Sequence, residues 1–265
     1  MSLTPDQITE YRRFAEQLAD AAAAAIMPYF RAPLPVQHKG GALYDPVTEA
    51  DKAAERVMRE LIRSTYPDHG IIGEEEGNVK GSSGLTWVLD PIDGTRAFIT
   101  GMPLWGTLIA LNNGHRPVIG VMNQPWTKER FVGTPQGAWC NGQRLATRSC
   151  DSIASARLMC TSPQIFENER QLATFNAIAN DVQLLRYGGD CYAYCMLAAG
   201  HVDAVIEAGL QTYDVQALIP VIQAAGGVMT AWDGGDAQHG GPVVAAGDPR
   251  LHALLVERLM RSGAP

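Results

Sequence analysis

No stretch of this 265-residue chain is apolar for the roughly 20 residues that a membrane-spanning helix needs. The longest apolar run near the N-terminus, residues 21–27, is closed by Asp20 on one side and Pro28 on the other. The first residues carry Asp6, Glu10, Arg12 and Arg13 in a helical pattern, without a basic stretch, an apolar stretch and a cleavage site in succession. No secretory signal is therefore visible, and a cytoplasmic location is expected. Basic residues are in deficit, with 21 Lys plus Arg against 28 Asp plus Glu for a formal charge of -7. That balance speaks against a sequence-independent nucleic-acid binder, so an anionic substrate must be met locally, by metal ions or backbone amides. Cysteine is scarce and odd in number: Cys140, Cys150, Cys160, Cys191 and Cys195 include no Cys-x-x-Cys pair and read as reduced packing thiols. Low-complexity linkers, long charge runs and internal repeats are missing too, so residues 1–265 read as one compact unit. A change of pattern near residue 150 marks two closely packed halves, about 1–150 and about 151–265.

What is present is 46% hydrophobic and 18% charged, enough apolar material for a large core. Thr4-Pro5-Asp6-Gln7 opens a helix with a hydroxyl at the cap, proline at the first helical position and Gln three residues after the cap, and that helix is expected to run to about Phe30. Ala54, Val57, Met58, Leu61 and Ile62 recur at three- and four-residue steps after Thr48 and predict a second helix ending at Tyr66-Pro67. Short β-type runs follow at 70–73, 87–89, 104–111, 118–122 and 130–133, with Asn113-Gly114 and Asn141-Gly142 as turns, and predict an antiparallel meander. Beyond about 152 the pattern alternates. Helices are expected at 167–179 and 190–199, from near Asp214 to Ala225, and from Pro249; strands are expected at 182–187, 202–206, 228–230 and 243–246. Interleaved helices and strands place the chain in the layered α/β or α+β class.

The strongest chemical signal is Trp87-Val-Leu-Asp90-Pro-Ile-Asp93-Gly-Thr95, two carboxylates three residues apart at the end of an apolar run. Pro91 fixes a turn that lets both carboxylates converge where Mg2+ finds oxygen ligands. Gly94 and Thr95 then offer backbone amides at a helix start, an anion site beside the cations. Asp, Pro and Gly are also the ordinary residues of a simple turn. Glu74, Glu75 and Glu76 follow the apolar Ile71-Ile72, and three consecutive acids equally describe a solvated loop. Asp214 also suits the N-cap of the helix running to Ala225.

Together these segments resemble the inositol monophosphatase-like family of Mg2+-dependent, lithium-sensitive phosphomonoesterases, over nearly the whole chain. The resemblance implies an α-β-α-β-α sandwich, with about 1–150 as its metal-binding half and about 151–265 completing the substrate pocket. It implies that Glu74, Asp90 and the Ile92 carbonyl hold one metal, that Asp90, Asp93 and Asp214 hold a second, and that Glu74 reaches a weaker third. Asp51 and Thr95 resemble the pair that orients and deprotonates the attacking water, with Glu74 alongside; Thr48, three residues before Asp51, gives that acid a competing capping role. The metals would neutralise the phosphoryl oxygens, acidify a water for in-line attack and stabilise the leaving alkoxide, with no covalent enzyme intermediate.

Phe98-Ile-Thr-Gly101, Trp105-Gly-Thr-Leu-Ile109 and Tyr187-Gly-Gly189-Asp190-Cys-Tyr-Ala-Tyr194 resemble the histidinol-phosphate phosphatase branch of that family. Asp190 there suits a substrate with a cationic amine end, and Glu207 aligns with a residue that touches the leaving group. Asp190 also suits the N-cap of the helix that follows it. The substrate is therefore expected to face Asp93, Gly94, Thr95, Asp190, Glu207 and Asp214. Tyr213 stands where the family carries Trp, a change of packing more than of metal binding. The rival readings are an inositol monophosphatase of broad specificity and a non-catalytic interaction protein on the same fold. A homodimer is expected from the resemblance alone, and neither a nucleic-acid nor a membrane partner is expected.

Overall fold

The computed structural model describes residues 2–33, 36–38 and 46–261. Helix α1 (Pro5–Ile26) begins as the sequence dictates: Gln7 N donates to Thr4 Oγ1 and Thr4 N donates to Gln7 Oε1, a closed capping box. It stops short of Phe30 because Pro28 has no N–H to continue the ladder, and turns carry the chain through Tyr29 and Arg31. Strands β1 (Val36–His38) and β2 (Pro46–Thr48) form a small antiparallel pair, and α2 (Glu49–Thr65) starts from a second capping box on Thr48.

The first half then builds a seven-stranded sheet from β3 (Gly70–Gly73), β4 (Thr86–Asp93), β5 (Gly106–Asn112), β6 (Pro117–Gln124), β7 (Glu129–Thr134), β8 (Gly137–Cys140) and β9 (Gln143–Arg144), paired in chain order. From β4 onward the pairing is antiparallel, as expected. β3 departs from the meander by running parallel to β4, because the intervening residues 74–85 form a crossover that returns the chain to the same end of the sheet. Helix α3 (Thr95–Ile99) fills the step between β4 and β5.

The second half adds β10 (Arg157–Cys160), α4 (Glu169–Ala179), β11 (Leu184–Tyr187), α5 (Asp190–Ala198), β12 (Ala204–Leu210), α6 (Thr212–Val215), α7 (Leu218–Ala225), β13 (Val228–Ala231), β14 (Gly241–Ala246) and α8 (Pro249–Arg261). Its sheet has the order β11-β10-β12-β14-β13, with β10 parallel to β11 and β12 and the rest antiparallel. The helix expected to run unbroken from Asp214 to Ala225 is split into α6 and α7.

Side-chain alternation turns these elements into layers. Trp87, Leu89, Ile109 and Leu111 face α1 and α2, while Val88, Leu108 and Ala110 face α5 and α7. On the second sheet Val205, Val243 and Ala245 face the same two helices, while Ala204, Ile206, Val244 and Ala246 face α4 and α8. The result is the α-β-α-β-α order, with α5 and α7 as the shared middle layer. The contact is tight enough that a Cβ on Gly120 of β6 would lie 1.9 Å from the Ala217 carbonyl oxygen. Among the described residues no helix is long and apolar enough to cross a membrane, and all five cysteines are free thiols.

Candidate active site

The parallel pairing of β3 and β4 sets the site, because it places Glu74, directly after β3, beside the C-terminal end of β4. Residues three apart on a regular strand point to opposite faces. Here the ladder to β5 slips between Asp90 and Asp93, and Thr107 Oγ1 holds the bulge by donating to the Pro91 carbonyl at 2.8 Å. One carboxylate oxygen from each of Asp90, Asp93 and Asp214 consequently lies within 4.8 Å of the others.

Asp214 reaches this cluster from α6. It is not the N-cap expected from sequence: Gln211 occupies the cap, and Asp214 stands three residues on, where its Oδ2 accepts from Gln211 N at 2.7 Å. Asp93 Oδ2 accepts from Cys191 N, at the start of α5, at 2.6 Å. Burial, then the charges of Glu74, Asp93 and Asp214, holds the Asp90 carboxyl well above the usual carboxylate range. Burial, then Asp214, pushes Asp93 to about 8, against the Cys191 hydrogen bond. Asp214 rises to about 7, chiefly through burial. The Oδ1 atom of Asp90 is buried without a hydrogen-bond partner. An orphaned carboxylate oxygen among crowded acids fits a hard divalent cation, which takes oxygen ligands and removes the repulsion.

Asp51 performs its capping role and faces the site at once. Its Oδ2 accepts from Thr48 N at 2.8 Å and from Thr48 Oγ1 at 2.5 Å, while burial, reinforced by Glu74, raises its carboxyl to about 6. Thr95 Oγ1 donates to the Ile92 carbonyl at 3.1 Å. Among the described residues no hydrogen bond joins Thr95 to Asp51. No side chain caps α3, and Gly94 takes the left-handed conformation at φ +84° that starts it.

Asp190 also differs from its expected capping role. Gly189 is the cap of α5, and Asp190 is the first helical residue, held at φ +44°, a costly conformation for a residue with a Cβ. It packs against the turn at Gly94, since a Cβ there would lie 3.2 Å from Asp190 Cβ and Cγ. Burial, then Asp93 and Glu207, raises its carboxyl well above the usual range, with Arg96 opposing. Glu207 is linked to it through Thr161. Its Oε1 accepts from Thr161 N at 2.7 Å and its Oε2 from Tyr194 OH at 2.9 Å, and Thr161 Oγ1 in turn accepts from Asp190 N at 3.2 Å.

Several of these partners escape the sequence. Thr161 carries no motif, and Thr107 and Tyr194 lie in the runs that resemble the branch without any sign of the hydrogen bonds they make. Glu55 and Arg59 lie buried under the acidic loop; their one signal is an acid and a base four apart beside the apolar stripe of α2.

A family model described as the inositol monophosphatase family matches residues 7–264. The bifunctional phosphatase IMPL2 of Arabidopsis thaliana is 43% identical over 95% of this chain and 76% of its own length. A histidinol-phosphatase of Streptomyces coelicolor is 35% identical over 95% of this chain and 97% of its own. The solved structure of an inositol monophosphatase from Zymomonas mobilis superposes with a TM-score of 0.86 at 41% identity, covering 98% of this chain and 100% of that one.

Proposed function

The chain belongs to the inositol monophosphatase family of metal-dependent phosphoric monoester hydrolases, and on that premise we propose that it hydrolyses L-histidinol phosphate with the help of two or three Mg2+ ions. The observation that carries this reading is Asp190: a carboxylate held in a left-handed conformation against Gly94, with the buried Glu207 linked to it through Thr161. A neutral polyol supplies no charge to relieve two such acids, whereas an ammonium or imidazolium group does so by a charge-assisted hydrogen bond. The histidinol-phosphatase of Streptomyces coelicolor supports the same reading.

In this proposal Glu74, Asp90 and the Ile92 carbonyl hold one ion, Asp90, Asp93 and Asp214 a second, and Glu74 a third. The bound ions supply neutralising charge to the phosphoryl oxygens and acidify a water. The Gly94 and Thr95 amides receive the phosphate, while Thr95 and Asp51 orient the attacking water and Asp51 takes its proton. Asp190 binds the amine end of the substrate directly, and Glu207 is linked to it through Thr161. A homodimer and a cytoplasmic setting belong to the same proposal.

The test is phosphate release from L-histidinol phosphate and inositol 1-phosphate side by side, with excess Mg2+ and with EDTA. Asp190→Asn is expected to raise KM for histidinol phosphate about tenfold or more and to leave inositol 1-phosphate unaffected. If neither Asp190→Asn nor Glu207→Gln changes that KM, the acid pocket is wrong. Faster release from inositol 1-phosphate would move the substrate to the polyol, the second reading, which the Zymomonas structure favours. No release from either would leave a non-catalytic role.

A further inference from the structure

The acidic loop after β3 rests on a buried ion pair that the chemistry above does not use. Glu55 and Arg59 stand one turn apart on α2, 0% and 1% exposed, and Arg59 Nε donates to Glu55 Oε1 at 2.7 Å. Charges so removed from water are tolerated only when their remaining donors and acceptors are satisfied. Here the partners all lie in one short stretch. Glu75 N donates to Glu55 Oε2 at 2.8 Å and Glu76 N to Glu55 Oε1 at 2.9 Å. Arg59 Nη2 donates to the Glu76 carbonyl at 2.7 Å and Nη1 to the Gly77 carbonyl at 3.0 Å. On the other side of Glu74, a Cβ on Gly73 would lie 2.2 Å from Glu55 Oε1 and 2.6 Å from Arg59 Nη2, so a glycine is needed for the backbone to lie on the pair.

These contacts bracket Glu74. Its charge acts on Asp90, Asp214 and Asp51, raising the carboxyl of each. Repulsion of that sign drives a loop of three acids toward water, and four hydrogen bonds from beneath oppose it. We propose that Glu55 and Arg59 are positioning residues that hold residues 73–77, and with them Glu74, in the ion-receiving arrangement before a divalent cation arrives. The proposal rests on Glu74 being an ion ligand, and it assigns to the pair an effect on cation affinity and none on substrate affinity.

Hydrogen exchange on the wild-type protein tests it without any substitution. In EDTA the Glu75 and Glu76 amides are expected to exchange at least about a hundredfold more slowly than in an unstructured peptide, and to change by less than about threefold when Mg2+ is added. Amides that exchange freely in EDTA and become protected only with Mg2+ overturn the proposal. Binding of Mn2+, followed by electron paramagnetic resonance, gives the second arm. Glu55→Gln and Arg59→Lys, shown to be folded by circular dichroism, are expected to weaken one class of Mn2+ site about tenfold, with KM at saturating metal within about twofold of wild type. In a Glu74→Gln background either substitution is expected to add nothing to that loss. A folded Glu55→Gln protein with the wild-type isotherm, or additive losses, overturns the proposal. Should both variants fail to fold, the exchange experiment decides alone. Wild-type protein that binds no Mn2+ defeats the ion reading of the site itself, a result distinct from the others.

Discussion

Replacing Asp93 by Asn is expected to make the metal-free protein more stable while abolishing turnover. Two full charges no more than 4.8 Å apart, as for Asp93 and Asp214, repel by at least about 3.5 kcal/mol at an effective dielectric constant near 20. Partial proton uptake, with Asp93 near 8 and Asp214 near 7, reduces the relief available at pH 8 to about 2.5 kcal/mol. The hydrogen bond from Cys191 N survives to the Asn carbonyl but loses its charge assistance, costing about 1 kcal/mol. The net gain of about 1.5 kcal/mol corresponds to roughly 3 to 6 °C in melting temperature for a chain of this size. The sign follows from linkage. A carboxyl whose folded pKa is raised binds its proton more tightly in the folded state, so wild-type stability without metal falls as pH rises from about 4 to 8. The advantage of the Asn variant is therefore absent near pH 4 and grows toward pH 8. Thermal melts in EDTA across that range, repeated with Mg2+, measure it. Mg2+ is expected to raise the melting temperature of the wild type and to act less on the variant. A variant that melts at or below wild type at pH 8 in EDTA, or an equal response to Mg2+, refutes the reasoning.

Asp51→Asn keeps the cap on Thr48 and is expected to lower kcat at least about a hundredfold with a melting temperature within a few degrees of wild type; activity retained within about threefold would remove Asp51 from the water-activating role. In the metal-free protein its carboxyl titrates near 6, and because cations offset the Glu74 charge, Mg2+ is expected to move that titration downward, as carboxyl carbon NMR would report. An upward movement would contradict the charge assignment. Gly120→Ala pushes a methyl group into the Ala217 carbonyl and is expected to cost about 2 to 3 kcal/mol, read as a melting temperature lower by roughly 4 to 12 °C; a neutral result would mean that α7 shifts freely on the sheet.

Much of this arrangement is legible in the sequence because it is local. The capping boxes at Thr4 and Thr48 each lie within four residues, and Asp90-Pro-Ile-Asp93-Gly announces the helix start, although the turn it predicts at Pro91 is a bulge inside β4, which runs on to Asp93. What is not legible depends on partners far along the chain. That Thr161 and Tyr194 donate to the two oxygens of Glu207 is set by residues 46 and 13 positions away. Asp190 reads as a cap because nothing nearby reveals that its backbone turns left-handed to meet Gly94. The parallel pairing of β3 is hidden because 74–85 lacks the helix that usually marks a crossover, and Glu55 with Arg59 resembles an ordinary surface pair until the loop is laid over them.

The hydrogen bond from Cys191 N to Asp93 ties the two halves together at the reacting centre itself. A ribosome releases Glu74, Asp90 and Asp93 well before Asp214 and Cys191. The nascent first half therefore carries an acid cluster with neither its last carboxylate nor the amide that orients Asp93. Of the proposed ion positions, the one that draws on Asp214 is therefore complete only once synthesis has delivered α6.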